Sequence, residues 1–297
     1  MAQITLLDGG MSRELVACGA ELKQPEWSAG AVIDRPEAVV AAHRNFIKAG
    51  AEVITVNAYA MVPFHIGEDR FSSLGAEWTT RAAGLAREAA GTQAKVAGCL
   101  PPLFGSYKPE LFDTARAPTM LKQLIEAQSD HVDLWLVETT SSLEEAAAAA
   151  EALAGDSRPL WIAFTLQDDA PTQPLLRSGE TVLAATELAL HHGAEALLFN
   201  CSQPEVMGDA VAIAADTARA AGSTMRIGVY ANAFDEHKDE GAGAANEVIT
   251  EVREDLTPAA YLDWADQWIA AGASIIGGCC GVGSAHIAAL RQHLKDV

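Results

Sequence analysis

Basic side chains are scarce: 20 Lys and Arg stand against 40 Asp and Glu, a formal charge of -20. No Lys/Arg cluster exists to neutralise phosphates, which argues against nucleic acid or an anionic membrane surface as a partner. An apolar run long enough to span a bilayer is missing, and no basic segment followed by an apolar one opens the chain, so neither a membrane span nor a secretory leader is expected. Cysteine is limited to five residues, an odd number with two adjacent, in a 297-residue chain too large to need staples. That usage excludes a disulfide scaffold and predicts a reducing, cytoplasmic setting. There is no G-x-G-x-x-G nucleotide loop either, because the Gly9-Gly10 pair lacks the spacing, which disfavours a doubly wound open sheet.

What is present is one unit repeated eight times. Short apolar runs, rich in β-branched residues, occur at 4–7, 53–56, 95–98, 134–137, 160–164, 196–199, 226–229 and 274–276. They do not alternate apolar with polar, so they read as parallel strands buried on both faces. Alanine-rich stretches with helical spacing follow them, among them 77–90, 119–131, 142–153, 180–192, 204–220, 258–271 and 284–294. Ser142 with Glu145 is placed as a capping box, and Gly193, Gly222 and Gly272 fall where helices end. Eight βα units in this length predict that residues 1–297 form a single domain of α/β class, a (β/α)8 TIM barrel. Two long loops, 100–118 and 230–256, then lie over the mouth as candidate lids; residues 235–240 of the second read equally as a solvated acidic excursion.

Chemistry concentrates at the predicted strand ends. After the eighth strand comes Gly277-Gly278-Cys279-Cys280-Gly281, where glycines let the backbone turn so that adjacent cysteines reach one ion. Two packed cysteines or a vicinal disulfide are the alternatives. Cys201 closes the sixth strand, which shares a rim with the eighth, so three thiolates at about 2.3 Å from a zinc ion leave one position open for a substrate thiol. A zinc-bound thiol is a nucleophile at neutral pH; metal-activated water is a less natural use of so much sulfur. Cys99 is assigned to packing or the pocket wall, Cys18 to helix packing, and His191 and His192 to a helix end on the far face.

Carboxylates come next. Glu138, after the fourth strand, is a candidate to hold a substrate ammonium, and Asp8, after the first, to order its loop or the metal's surroundings; capping or loop bracing is the alternative for both. Asn57 and Tyr59 end the second strand, and Tyr230, Asn232 and Phe234 follow the seventh. Such neutral polar and aromatic groups suit a cationic donor. Trp135 and Phe64 read as well as packing residues.

Taken together, Asp8-Gly9-Gly10, Glu138-Thr139, Asn200-Cys201 and Gly277-Gly278-Cys279-Cys280-Gly281 resemble the pattern of the homocysteine S-methyltransferase family, over about residues 4–294. The resemblance implies a zinc enzyme of (β/α)8 form with Cys201, Cys279 and Cys280 as ligands and homocysteine sulfur completing the tetrahedron. It implies that Glu138 receives the amino group of homocysteine, supported by the backbone near Gly9 and Gly10. The implied product is methionine, and S-methylmethionine is the expected donor. Betaine, S-adenosylmethionine or another small methylated compound, with a different acceptor or in a demethylase, is the alternative; a non-catalytic metal or thiol sensor is a further one. Two segments depart from the family pattern, 98–107 after the third strand and 230–234 after the seventh, both where the donor is expected. Nothing in the sequence indicates an oligomeric state.

Overall fold

The computed structural model describes residues 3–23, 25–169, 173–234 and 252–295. Eight strands form one parallel sheet: β1 (Thr5–Leu6), β2 (Val53–Thr55), β3 (Lys95–Leu100), β4 (Leu134–Thr140), β5 (Leu160–Phe164), β6 (Ala196–Asn200), β7 (Arg226–Ala231) and β8 (Ile275–Gly278). Their spatial order, β1-β8-β7-β6-β5-β4-β3-β2, leaves β1 and β2 at the two ends. A parallel bridge between Leu7 and Val53 and the Glu52 N–H donating to the Leu6 carbonyl at 2.8 Å join those ends. The sheet is therefore a closed (β/α)8 barrel, as the sequence predicts, and closure removes the exposed edges.

Period-two alternation sorts each strand's side chains. Leu7, Leu134, Leu136, Trp161, Leu198 and Ile275 fill the inside of the barrel, with Tyr230 in the same cluster and Cys279 packed against it. Their strand neighbours, such as Leu6, Ile54, Val96, Trp135, Phe164, Phe199 and Ile276, face the helices. Burying one such large side chain contributes about 1.5–3 kcal/mol. The interior column thus ends at the mouth on Tyr230 and a cysteine, so the core itself sets the floor of the site.

Helices surround the barrel: α1 (Met11–Ala17), α2 (Ser28–Asp34), α3 (Pro36–Ala49), α4 (Pro63–Ile66), α5 (Glu68–Ala90), α6 (Ala117–Gln128), α7 (Leu143–Ala152), α8 (Val182–His191), α9 (Pro204–Ala220), α10 (Pro258–Ala271) and α11 (Ser284–His293). Among the described residues none is long and apolar enough to cross a membrane. Ser142, Thr181 and Thr257 each accept a backbone N–H as the N-caps of α7, α8 and α10. Only half of the expected capping box forms: the Glu145 N–H donates to Ser142 Oγ at 3.2 Å, while the Glu145 carboxylate accepts from the Ser141 N–H at 2.5 Å. Gly193, Gly222 and Gly272 take φ of +66°, +66° and +119°, the left-handed geometry that ends helices.

Two boundaries differ from expectation in a way that matters. Helix α5 starts at Glu68 rather than near 77, since Phe71, Gly75 and Thr79 continue its buried face across the Ser72-Ser73 pair. Strand β4 runs on past 137 to Thr140 through a register irregularity between Val137 and Thr140. Glu138 therefore lies in a β-bulge, a device that re-aims a side chain at the end of a strand. Residues 235–251, including the predicted acidic excursion at 235–240, lie outside the described residues.

Candidate active site at the barrel mouth

The Cys279-Cys280 turn is stitched to both neighbouring strands. Its Cys279 N–H donates to the Ala231 carbonyl at 2.9 Å, and the Cys280 carbonyl accepts from the Ala233 N–H at 2.8 Å. On the other side, the Gly278 N–H donates to the Asp8 carbonyl at 3.0 Å and the Gly10 N–H to the Val282 carbonyl at 2.8 Å. A β-carbon on Gly10 would overlap the Cys279 carbonyl oxygen, and one on Gly9 that of Val282. Bare backbone at Gly9-Gly10 is thus what lets the first loop press against the cysteine turn.

Cys201 sits where β6 breaks toward α9, with φ +50°, and Thr139 in the β4 bulge has φ +57°. A non-glycine residue there costs about 1–3 kcal/mol and persists only when its surroundings enforce it. The two are tied through one bond: Asn200 Nδ2 donates to Thr139 Oγ1 at 2.7 Å, spanning β5. The Cys201 N–H also donates to the Tyr230 carbonyl at 3.3 Å, and Thr165 Oγ1 to the Cys201 carbonyl at 3.4 Å.

These turns gather three sulfurs, Cys201, Cys279 and Cys280, within 4.8 Å of one another. Cys201 Sγ lies 3.9 Å from Cys280 Sγ. Cys201 and Cys279 are joined as a disulfide, their Cα atoms 5.6 Å apart, and Cys280 is free, so the adjacent cysteines form no vicinal disulfide. Thiolates about 2.3 Å from a tetrahedral ion lie about 3.8 Å apart, a spacing that the Cys201–Cys280 separation matches; with the Cys201–Cys279 link reduced, the three sulfurs are the donor set for a zinc-sized metal. Burial, and then the nearby Glu138 charge, pushes the Cys280 thiol up to about 12. Without a cation the thiol keeps its proton; a metal reverses that preference.

Glu138 lies near enough to Cys280 to act on its thiol, and Asp8 lies near Glu138. Burial raises Glu138 to about 7, against the lowering effect of hydrogen bonds from Cys99 and Tyr230. The residue as a whole is only partly buried. Cys99 is fully buried, and its Sγ–H donates to Glu138 Oε2 at 3.3 Å. Asp8 is 7% exposed and raised to about 8, chiefly by burial, with Glu138 adding to the rise. Its Oδ2 accepts from the Thr55 N–H at 2.7 Å and its Oδ1 from Thr55 Oγ1 at 3.3 Å, which braces β1 against β2. Among the described residues no cation contributes to either shift. One buried and one partly buried acid, with no positive partner among those residues, favour an incoming ammonium.

The remaining candidates divide. Tyr230 is buried beside Glu138, and its hydroxyl makes no well-aligned hydrogen bond among the described residues. Asn232 is fully buried; its Oδ1 accepts from the Phe234 N–H at 2.5 Å, while Nδ2 has no partner there. Asn57 instead donates to the Ser28 carbonyl at 3.1 Å, anchoring α2. Trp135 is core, its Nε1 bonded to Asp156 at 3.0 Å. Cys18 caps the end of α1, and His191 stacks edge-on with His192.

Sequence reasoning missed Trp27 and gave Tyr107 no role. The Trp27 and Tyr59 rings meet edge to face at 6.1 Å, both against His65. Tyr59 Oη hydrogen-bonds Ser106 Oγ at 2.6 Å, joining the loops after β2 and β3. Tyr107 is close enough to feel the charges of Cys280, Arg177 and Glu138, and Arg177 lies over its ring at 4.7 Å. The sequence signal for these rings was faint: Trp27 lies in the long connection between β1 and β2, and Tyr107 shares the loop after β3 with Phe104 and Phe112.

A family model described as "Homocysteine S-methyltransferase" matches residues 5–294. The chain is 30% identical to the homocysteine S-methyltransferase of Escherichia coli (strain K12), over 97% of this chain and 94% of that one. It is 27% identical to the S-methylmethionine–homocysteine S-methyltransferase BHMT2 of Pongo abelii, over 90% of this chain and 72% of the other. The crystal structure of the homocysteine methyltransferase MmuM from Escherichia coli, in its metallated form, superposes with a TM-score of 0.78 at 26% identity, covering 98% and 96% of the two chains.

Proposed function

The chain belongs to the homocysteine S-methyltransferase family, and from that premise we propose that it moves a methyl group from S-methylmethionine to the thiol of L-homocysteine. The observation that carries this reading is the meeting, at one mouth, of a three-cysteine cluster with Glu138 and the buried Asp8, which have no counter-cation among the described residues. Cys201, Cys279 and Cys280 would hold a zinc ion, which would supply a Lewis acid that stabilises the substrate thiolate. Glu138, with Asp8 behind it, binds the ammonium of homocysteine and so orients its side chain toward the sulfurs.

Trp27, Tyr59, Tyr107 and Tyr230 wall the space beside that acceptor. Aromatic faces attract a sulfonium without neutralising it, while their bulk keeps water from the reacting carbon. Homocysteine loses its thiol proton, its sulfur forms the new bond to the methyl carbon, and the donor's sulfur keeps the electron pair of the bond that breaks. Two molecules of methionine result. Residues gain their effect by aligning the two sulfurs about one carbon rather than by acid–base work on it. The need for reduced thiols suits a cytoplasmic setting.

The test is methionine formation by reduced, zinc-loaded protein given homocysteine and, separately, S-methylmethionine, S-adenosylmethionine or betaine. Rapid use of S-methylmethionine alone is the expected result. Preferential use of another donor rejects the donor assignment, and turnover without homocysteine rejects the acceptor.

A further inference from the structure

Both cysteine turns run directly into helices, and in each case a carboxylate from a different βα unit takes an amide at the junction. After Cys201, the Gln203 N–H donates to Asp168 Oδ1 at 2.8 Å, one residue before α9. After Cys279 and Cys280, the Ser284 N–H donates to Glu14 Oε2 at 3.2 Å and Ser284 Oγ to Glu14 Oε1 at 3.1 Å. Gln203, the N-cap of α9, makes no side-chain cap of its own, and at α11 the only local side-chain contribution among the described residues is His286 Nδ1, which accepts from the Gly283 N–H at 3.3 Å. By contrast α7, α8 and α10, which follow no ligand turn, are capped locally by Ser142, Thr181 and Thr257.

Each carboxylate is itself fixed. Asp168 Oδ2 pairs with Arg177 at 2.8 Å, their side chains 7% and 14% exposed. Arg177 Nε donates to Thr165 Oγ1 at 3.2 Å, and that hydroxyl hydrogen-bonds Ser202 Oγ at 3.0 Å, next to Cys201. Glu14 is 6% exposed, and its Oε1 also accepts from Asn45 Nδ2 at 2.8 Å. Neither acid touches a sulfur. Each sets where a ligand turn meets its helix, from outside the turn.

We infer that Asp168 and Glu14 are positioning residues for the metal site, holding Cys201 on one side and Cys279 and Cys280 on the other at the spacing a single ion requires. This rests on reading the three cysteines as a metal site. The strained Cys201 backbone makes the need concrete, since a turn with φ +50° relaxes once its supports go. Groups that orient ligands from behind change metal affinity by about 10- to 100-fold when removed.

The experiment uses the full chain, reduced and loaded with zinc, then with cobalt as a coloured substitute. Zinc affinity is read by competition with a chromophoric chelator, and ligand geometry by the cobalt absorption bands. D168A and E14A are expected to weaken zinc by about 10- to 100-fold and to shift the cobalt bands. T181A, which removes a helix cap away from the cysteines, is expected to lower the melting temperature while leaving both readouts unchanged. Should the alanine variants not fold, D168E and E14D displace each carboxylate by one methylene and are expected to loosen zinc severalfold. Wild-type affinity and spectrum in the folded Asp168 and Glu14 variants, or an equal loss in T181A, overturns the inference. A reduced wild-type chain that binds no zinc overturns the metal reading instead, whatever the variants do.

Discussion

Replacing Glu138 by Gln removes one charge from the mouth while nearly keeping the side chain's shape. A carboxylate and an ammonium about 4 Å apart attract by about 4 kcal/mol at an effective dielectric near 20. Dehydration of the ammonium and the remaining pull of Asp8 reduce the net loss in E138Q to about 2–3 kcal/mol, or about 30- to 150-fold in KM for homocysteine. The comparison acceptor is 4-mercaptobutyrate, which is homocysteine without its amino group. It is a poor substrate for both proteins and is expected to lose little further in E138Q. The pH dependence gives an independent reading. With Glu138 raised to about 7 and Asp8 to about 8, an empty site is still partly protonated near neutrality. Homocysteine kcat/KM should therefore rise with pH across that interval, and E138Q should lack the lower limb. Steady-state methionine formation at fixed saturating donor measures both. Equal losses for the two acceptors, or an unchanged KM, would refute the ammonium role.

Serine in place of Cys201, Cys279 or Cys280 is expected to abolish stoichiometric zinc and methyl transfer together, whereas C99S keeps its zinc, as metal analysis will show. In G10A the new methyl meets the Cys279 carbonyl oxygen, so the cysteine turn must move; zinc affinity should fall at least tenfold, by chelator competition. N200A removes the bond to Thr139 and should cost about 1 kcal/mol or more in denaturant unfolding, with both strained residues loosened. The raised values of Asp8 and Glu138 stabilise the ligand-free fold fully below about pH 4, and that contribution is lost as pH rises through about 7 and 8. Melting temperature of the ligand-free protein should fall across that interval and recover on adding homocysteine; a flat profile contradicts the burial of these acids.

Most of the barrel was legible because parallel strands buried on both faces leave short apolar runs, and the eight runs coincide with the eight strands to within a few residues. The cysteines were legible for a different reason: Gly277, Gly278 and Gly281 have no evident use except to let backbone pack closely at a strand end. What the sequence hid was three-dimensional pairing. Glu138 was expected just past a strand and instead sits in a bulge, which follows from the cross-strand register with β5 rather than from local residue types. Asn57 has the composition of a pocket residue, yet the carbonyl of Ser28, 29 positions away, claims its amide. Trp27 meets Tyr59 and His65 only because the long connection between β1 and β2 folds back over the loop after β2. Such contacts carry no periodic signature, so spacing arguments pass over them.

Charge explains why this mouth suits the proposed reaction. Three thiolates around a divalent ion would carry a net charge of minus one, and Asp8 and Glu138, which an arriving cation would ionise, have no cationic partner among the described residues. An amino-acid acceptor brings an ammonium to the acids, and a sulfonium donor brings a second cation toward the thiolate. Methyl transfer then joins cation to anion and leaves two neutral sulfides, so the reacting charges vanish within a partly enclosed site. A low dielectric favours such a step, because the separated charges gain more from water than the dispersed transition state does. Neutral thioether sulfur is also a weaker metal ligand than thiolate, so the product loosens from the centre that held the substrate. The sharpest consequence concerns donors: 2-amino-5-methylhexanoate, in which a neutral CH group replaces the sulfonium of S-methylmethionine, should compete poorly with that donor, with an inhibition constant at least about tenfold above the donor's KM. Inhibition by this neutral isostere near the donor KM would mean that shape rather than charge selects the donor here.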